Sequence, residues 1–214
     1  MEEITIRKYR KDDRAYLRDI TCQTAFMGRP ADIFFQDQEI LADFLTLYFR
    51  DYEPESCFVA EANNEVVGYL IGSKDTVTLR KVFKEKIVGR LFIKALTKGT
   101  LLKKKNAIFL FRCLLSFLKD EFKEPDFSGE YPATLHINLK EDFRNLGAGS
   151  KLISAYLDYL KEEKVVGVCL ATMSEAATKF FKGEGFDLLH KSLRSYFRHI
   201  LHKDITVYIY GKRL

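Results

Sequence analysis

A chain of 214 residues, 47% hydrophobic and 14% aromatic, can bury one sizeable core, and two full domains are not expected. Its net charge of +5 is unevenly placed: residues 74–123 hold 14 Lys and Arg against 4 Asp and Glu, while the remainder carries 21 against 26. The basicity therefore belongs to one segment and does not mark the whole chain as a nucleic-acid binder. The four cysteines lie far apart among apolar neighbours, as suits reduced core thiols better than a metal site or disulfide framework, so a cytoplasmic setting is expected. The N-terminal stretch lacks the pattern of a secretory signal. The longest apolar run, Ala107 to Leu118, is broken by Arg112 and falls short of the roughly 20 residues that a membrane span needs.

In chain order, alternation at Ile4 and Ile6 predicts a strand, and Asp12 or Asp13 offers an N-cap to a helix running to about Phe26. Gly28 and Pro30 break that helix. A second helix over about 38–49 places Ile40, Leu41, Phe44, Leu45 and Tyr48 on one face. Two apolar strands then meet at Asn63 and Asn64, residues that tolerate the positive φ of a tight hairpin. The basic segment, about 76–124, reads as two inserted helices covering one edge of the sheet. In the first, Leu79, Val82, Phe83, Ile87, Leu91 and Ala95 recur at helical spacing, with Lys84, Arg90, Lys94 and Lys98 largely opposite. The second runs from Lys103 to about Phe122. From residue 131 the pattern becomes strand (133–139), glycine turn, helix (147 to about 163), strand (165–171), helix (about 174–182) and two closing strands. The fold class is α/β or α+β, a single domain over 1–214 built on one mixed sheet, with the helical insertion between the third and fourth strands.

The turn from Arg144 to Gly149 holds the strongest chemical signal. A strand turning sharply into a helix leaves the first helical N–H groups unpaired, where the backbone dipole favours an anion. Gly147 and Gly149 remove Cβ atoms where a phosphate would approach, and Arg144 adds a cation. A dinucleotide turn fails because Leu152 stands at its third glycine, and a Walker turn fails because Ser150 and Lys151 have the wrong order. A structural turn beside a solvated arginine fits the hexapeptide equally well.

The surrounding order of elements decides. Arg144, Gly147 and Gly149 match the Arg/Gln-x-x-Gly-x-Gly/Ala signature of the GNAT superfamily of acetyl-CoA-dependent acyltransferases. Ser174, Ala177, Phe180, Phe181, Gly185 and Phe186 partly match its second landmark, so the chain resembles that superfamily over 2–73 and 131–210. Residues 131–139 also resemble acetyltransferase-like domains attached to some O-GlcNAc hydrolases. The resemblance implies a mostly antiparallel sheet flanked by helices, with acetyl-CoA as cosubstrate and no metal. It implies pantetheine pairing along Ile137, Asn138 and Leu139, and pyrophosphate on Arg144, Asn145, Leu146, Gly147, Ala148, Gly149 and Ser150. Ser174 and Phe181 would stand beside the cofactor, each departing from the family's Asn and Tyr. The Phe181 ring has no hydroxyl with which to protonate a leaving thiolate.

The implied reaction is direct attack by an amine on the thioester through a tetrahedral intermediate, helped by positioning and by a proton acceptor. His136 is the candidate base: with Asn138 it occupies the strand face opposite Leu135, Ile137 and Leu139. Tyr196 is a candidate acid, with Tyr131 and Tyr208 as further substitutes. Glu141 and Asp142 read as solvated or turn-shaping groups. The rival reading is a catalytically impaired acyl-CoA-binding regulatory or interaction domain. The acceptor, a small molecule or peptide amine, stays open, as does a homodimer. No membrane span is expected, and nucleic-acid binding is not favoured. The insertion reads as a solvated face; an acidic substrate, a nucleic-acid contact, an anionic surface, or a lid or specificity element near the acceptor are the alternatives.

Overall fold

The computed structural model describes residues 3–214. Strand β1 (Thr5–Lys8) leads to α1 (Arg14–Thr24), and α2 (Gln38–Tyr52) follows with the Asp37 carboxylate accepting the Ile40 N–H at 3.2 Å. Asp13 precedes α1 but does not cap it with its side chain. Its carboxylate instead takes the Arg10 N–H at 2.7 Å and the Arg7 guanidinium at 2.7 and 2.8 Å, tying β1 to the helix entry.

Strands β2 (Cys57–Ala62) and β3 (Glu65–Ser73) form the expected hairpin, and Asn63 and Asn64 both adopt positive φ, 51° and 62°. Their side chains alternate between two covered faces, which explains why both strands read as nearly continuous apolar runs. One set, including Phe58, Ala60 and Leu70, meets the helix after β4; the other, including Val59, Tyr69 and Ile71, meets Leu17 and Ile20 of α1.

The inserted segment forms α3 (Thr76–Val82), a wide π turn (Phe83–Ile87), α4 (Val88–Thr97) and α5 (Lys104–Leu118). Gly99, at φ 64°, closes α4. The stripe read from the sequence is the inner one: Ile87 and Leu91 pack on Leu47 and Tyr48 of α2, and Ala95 joins an aromatic cluster around Phe26, Phe34, Phe35 and Phe197. The principal seat of the insertion is thus α2 and this cluster, where the sequence placed it over a sheet edge. Lys94 also departs from a purely solvated role, because it reaches Asp43 at 2.9 Å and Glu39 at 2.6 Å.

Strand β4 (Ala133–Leu139), α6 (Ala148–Glu162), β5 (Gly167–Thr172), α7 (Glu175–Gly183), β6 (Asp187–Arg194), α8 (Arg198–Leu201) and β7 (Ile205–Arg213) complete the chain. The seven strands are ordered β1-β2-β3-β4-β5-β7-β6, antiparallel except for the β4–β5 pair. Helix α6 buries Leu152, Ile153, Tyr156 and Leu160 against Leu70, Leu135 and Val168 of the sheet. Fully burying a large apolar side chain contributes about 1.5–3 kcal/mol, so this helix fixes the sheet's central strands.

Candidate active site

The parallel pair at the centre of the sheet is short. Strands β4 and β5 are in register only at Ala133 with Val168 and at Thr134 with Cys169. Beyond that point β4 stays with β3 as far as Leu139, while β5 stays with β7 as far as Thr172. The two strands therefore part, and among the described residues the β5-facing edge of β4 after Thr134 has no strand partner.

The chain enters α6 from the end of β4, the diverging end of this wedge. Asn145 at φ 62° and Gly147 at φ 82° turn it sharply, and the space where a Gly147 Cβ would stand is open. Among the described residues no side chain caps α6, and its first helical bond runs from the Lys151 N–H to the Gly147 carbonyl at 3.1 Å. The N–H groups of Ala148, Gly149 and Ser150 consequently lie ahead of any intrahelical acceptor, although Ala148 and Gly149 are buried. An uncapped, partly buried helix start beside open space suits an anion. Gly149 has a different purpose: a Cβ there would come within 3.0 Å of the Phe180 ring, so glycine lets α7 approach α6.

Arg144 is not poised as a free cation. Its Nε donates to the Leu139 carbonyl at 3.2 Å and its Nη2 to the Gly28 carbonyl at 3.0 Å. It clamps the end of β4 to the turn between α1 and α2 and so fixes the position of the α6 amides. Ser150 is likewise engaged, donating to Glu184 at 2.5 Å, whereas Leu146 is exposed.

On β4, Leu135 is buried and Ile137 and Leu139 pack on the same core, so His136 and Asn138 take the opposite face, as alternation requires. A polar chain runs across that face. Thr21 donates to the Leu17 carbonyl at 2.7 Å, which leaves its oxygen to accept from the Tyr69 hydroxyl at 2.8 Å. Tyr69 then accepts from Asn138 Nδ2 at 2.7 Å, and the second Asn138 N–H points at His136 Nε2 at 3.0 Å. These bonds place the His136 proton on Nδ1. The surrounding protein disfavours the charged ring and moves its pKa below the ordinary 6.5. Tyr69 and Thr21 were missed in the sequence; the available signal was a lone tyrosine in an otherwise aliphatic buried strand, whose hydroxyl needs a partner.

No protein-family model matches the sequence, and no curated protein matches it. Solved structures do match the fold. A crystal structure of SsHAT is 23% identical, with a TM-score of 0.69 and coverage of 99% of this chain and 98% of the other. The Drosophila melanogaster polyamine N-acetyltransferase is 12% identical, with a TM-score of 0.65 over 99% of this chain and 100% of the other. The yncA protein of Salmonella typhimurium, solved with its cofactor acetyl-CoA, is 13% identical, with a TM-score of 0.58 over 99% of this chain and 94% of the other. The chain has the GNAT fold.

Within the GNAT fold, the other predicted residues occupy two separate settings. Ser174 caps α7, its hydroxyl accepting the Ala177 N–H at 3.4 Å. Phe181 is 4% exposed and packs among Phe180, Phe186 and Tyr210, so its ring belongs to the main core. Tyr196 lies in the aromatic cluster under the insertion, stacked on Phe122, and donates to Met173 Sδ at 3.3 Å, just past the end of β5. Burial pushes its pKa up to about 12, which favours a retained proton. His136 and Tyr196 are thus held by different clusters, one through β3 and α1, the other through α5. Tyr131 is buried beside Gly167 and Gly211, near the paired start of β4 and away from its diverging end.

Proposed function

We propose that this protein is an acetyl-CoA-dependent N-acetyltransferase acting on a small-molecule or peptide amine. The observation that carries the reading is the parting of β4 from β5 beside an uncapped helix start with open space at Gly147. The unpaired β4 edge from Ile137 to Leu139 suits an amide-bearing arm such as pantetheine, and the N–H groups of Gly147 to Ser150 suit a pyrophosphate. Acetyl-CoA supplies the activated acyl group; nitrogen attack forms the amide bond, the carbon–sulfur bond breaks, and the thiolate leaves.

The chain's own residues set the proton inventory. With Nε2 engaged by Asn138, His136 presents Nδ1–H as a donor. It takes a proton only when Asn138 releases Nε2, so the acceptor ammonium loses its proton to water or after that release. Tyr196 retains its proton near the end of β5 and is the donor available to a departing thiolate; solvent is the other. Holding both reactants in one wedge contributes strongly, since well-oriented pairs gain roughly 7–11 kcal/mol.

A second reading, an acyl-CoA-binding domain without turnover, is favoured by Phe181, which carries no hydroxyl and is packed into the core. Calorimetry with acetyl-CoA, paired with thiol-release assays on a polyamine, a lysine peptide, a free peptide N-terminus and an amino sugar, separates the two. Turnover on one acceptor supports the enzyme. Tight binding with no thiol release across the panel supports the second reading, and absence of binding at high acetyl-CoA overturns both.

A further inference from the structure

Helix α5 faces inward with a mixed side, on which Phe109 joins the Phe34 and Phe197 cluster and Asn106 and Ser116 are fully buried. Its fully buried residues are polar: Asn106 accepts the Gln36 N–H at 2.7 Å and donates to the Thr100 carbonyl at 2.9 Å, and Ser116 meets Ser195 at 3.3 Å and Glu121. Its outer face is apolar, with Phe111 57%, Leu114 53%, Phe117 65% and Leu118 70% exposed, and Leu102 just before it is 88% exposed. Of the twenty large apolar side chains exposed among the described residues, thirteen lie between Val77 and Phe122. Such a concentration marks an interaction surface.

The same segment carries the chain's excess positive charge, 14 cations against 4 anions over residues 74–123. Among the described residues, Arg90, Lys104 and Arg112 have no carboxylate within ion-pair distance. That charge selects the occupant. A second copy meeting this face across a two-fold axis would set the excess charge against itself. An anionic lipid surface offers both complements, acyl chains for the exposed Phe and Leu and phosphates for the flanking Lys and Arg. Length agrees: α5 has 15 residues, about 22 Å, short of the roughly 30 Å hydrocarbon core, and among the described residues no helix is long and apolar enough to cross a membrane. A helix fixed by its inner face and free on its outer half suits burial in the headgroup boundary, roughly 5–10 Å deep.

We propose that α5 and Leu102 dock this protein reversibly on an anionic membrane surface. The proposal is independent of acetyl transfer, and its test reads binding alone. The full chain is floated with vesicles of phosphatidylcholine, with or without phosphatidylserine, at low and high salt. The expected result is flotation with the anionic vesicles only, weakened by salt. The double variant Phe111→Ser/Leu118→Ser should lose about tenfold or more in partitioning, and Lys104→Gln/Arg112→Gln about 25-fold, since each removed positive charge weakens attraction to an anionic leaflet about fivefold. All four side chains are exposed, and circular dichroism checks that the variants fold. Failure to float with either vesicle overturns the proposal and leaves the face to a protein partner. Equal flotation with both vesicles overturns the anionic requirement. A dimer in sedimentation velocity that Phe111→Ser/Leu118→Ser dissolves, without vesicle binding, overturns it in favour of self-association.

Discussion

Helices α5 and α6 are each 15 residues long, yet they seat themselves by opposite rules. Helix α6 turns Leu152, Ile153, Tyr156 and Leu160 to the sheet and keeps its charged residues outside. Helix α5 turns Asn106 and Ser116 inward beside a single aromatic, Phe109, and leaves Phe111, Leu114, Phe117 and Leu118 outside. The difference lies in what each helix meets. A two-sided apolar sheet can be covered only by an apolar stripe, whereas the loop near Gln36 and the strand end near Ser195 present backbone and hydroxyl groups that need polar partners. Apolar spacing therefore identifies both segments as helices, but only in α6 does it identify the buried side.

The strongest test of this contrast separates the two regions by ligand. Gly147→Val forces a β-branched residue into φ 82° and fills the open space at the head of α6. Acetyl-CoA affinity should fall by about a hundredfold or more, on the order of 3 kcal/mol, while Phe111→Ser/Leu118→Ser leaves it unchanged. Calorimetry on both variants checks this. Unaltered affinity in a folded Gly147→Val protein would remove the pyrophosphate from the α6 turn.

Much of the α6 region is readable from local pattern. The hairpin at Asn63 and Asn64, the alternation of β4 and the glycine turn each follow from steric or period rules that act within a few residues. What the pattern omits is long-range. Arg144 looks like a free cation beside its turn, and only the fold brings the Gly28 carbonyl, 116 residues away, to its guanidinium. Tyr196 and His136 look like partners in one reaction, and only the fold assigns them to separate clusters. The inward side of α5 depends on Gln36 and Ser195, which no spacing within the helix can reveal.

The α5 rule is sharpened by removing a polar anchor. Asn106→Ala deletes one buried and one part-buried hydrogen bond and leaves the Gln36 N–H without its acceptor, which should cost about 2 kcal/mol in urea unfolding. If the outer apolar face were the intended buried one, the cost would be near zero. Tyr69→Phe is the counterpart beneath the wedge. Removing the hydroxyl leaves Thr21 and Asn138 without a shared partner, for about 1–2 kcal/mol. It should also free Asn138 from holding His136 Nε2, a change visible as altered His136 ring resonances in NMR.

The smallest expected effect is the pH dependence that His136 imposes on stability. Its folded-state pKa lies below the ordinary 6.5 because the surrounding protein disfavours the charged ring, an effect that solvent screens in part because the side chain is exposed. As pH falls below about 6.5, the unfolded chain takes up a proton that the folded protein refuses, so stability declines until the folded pKa is reached and then levels. Acidic groups act in a lower window. Burial works against the Asp43 carboxylate, yet Lys94 and Arg18 beside it outweigh that and hold its pKa below 3.8, so its contribution is present above that value and lost at lower pH. Unfolding free energies measured from pH 7.5 to 4.5 should therefore show a shallow decline that His136→Gln flattens, with the remainder of the curve unchanged. A decline of equal size in His136→Gln would assign the effect to other groups, and a His136 ring that titrates at or above 6.5 by NMR would show that the protein does not hold the ring neutral.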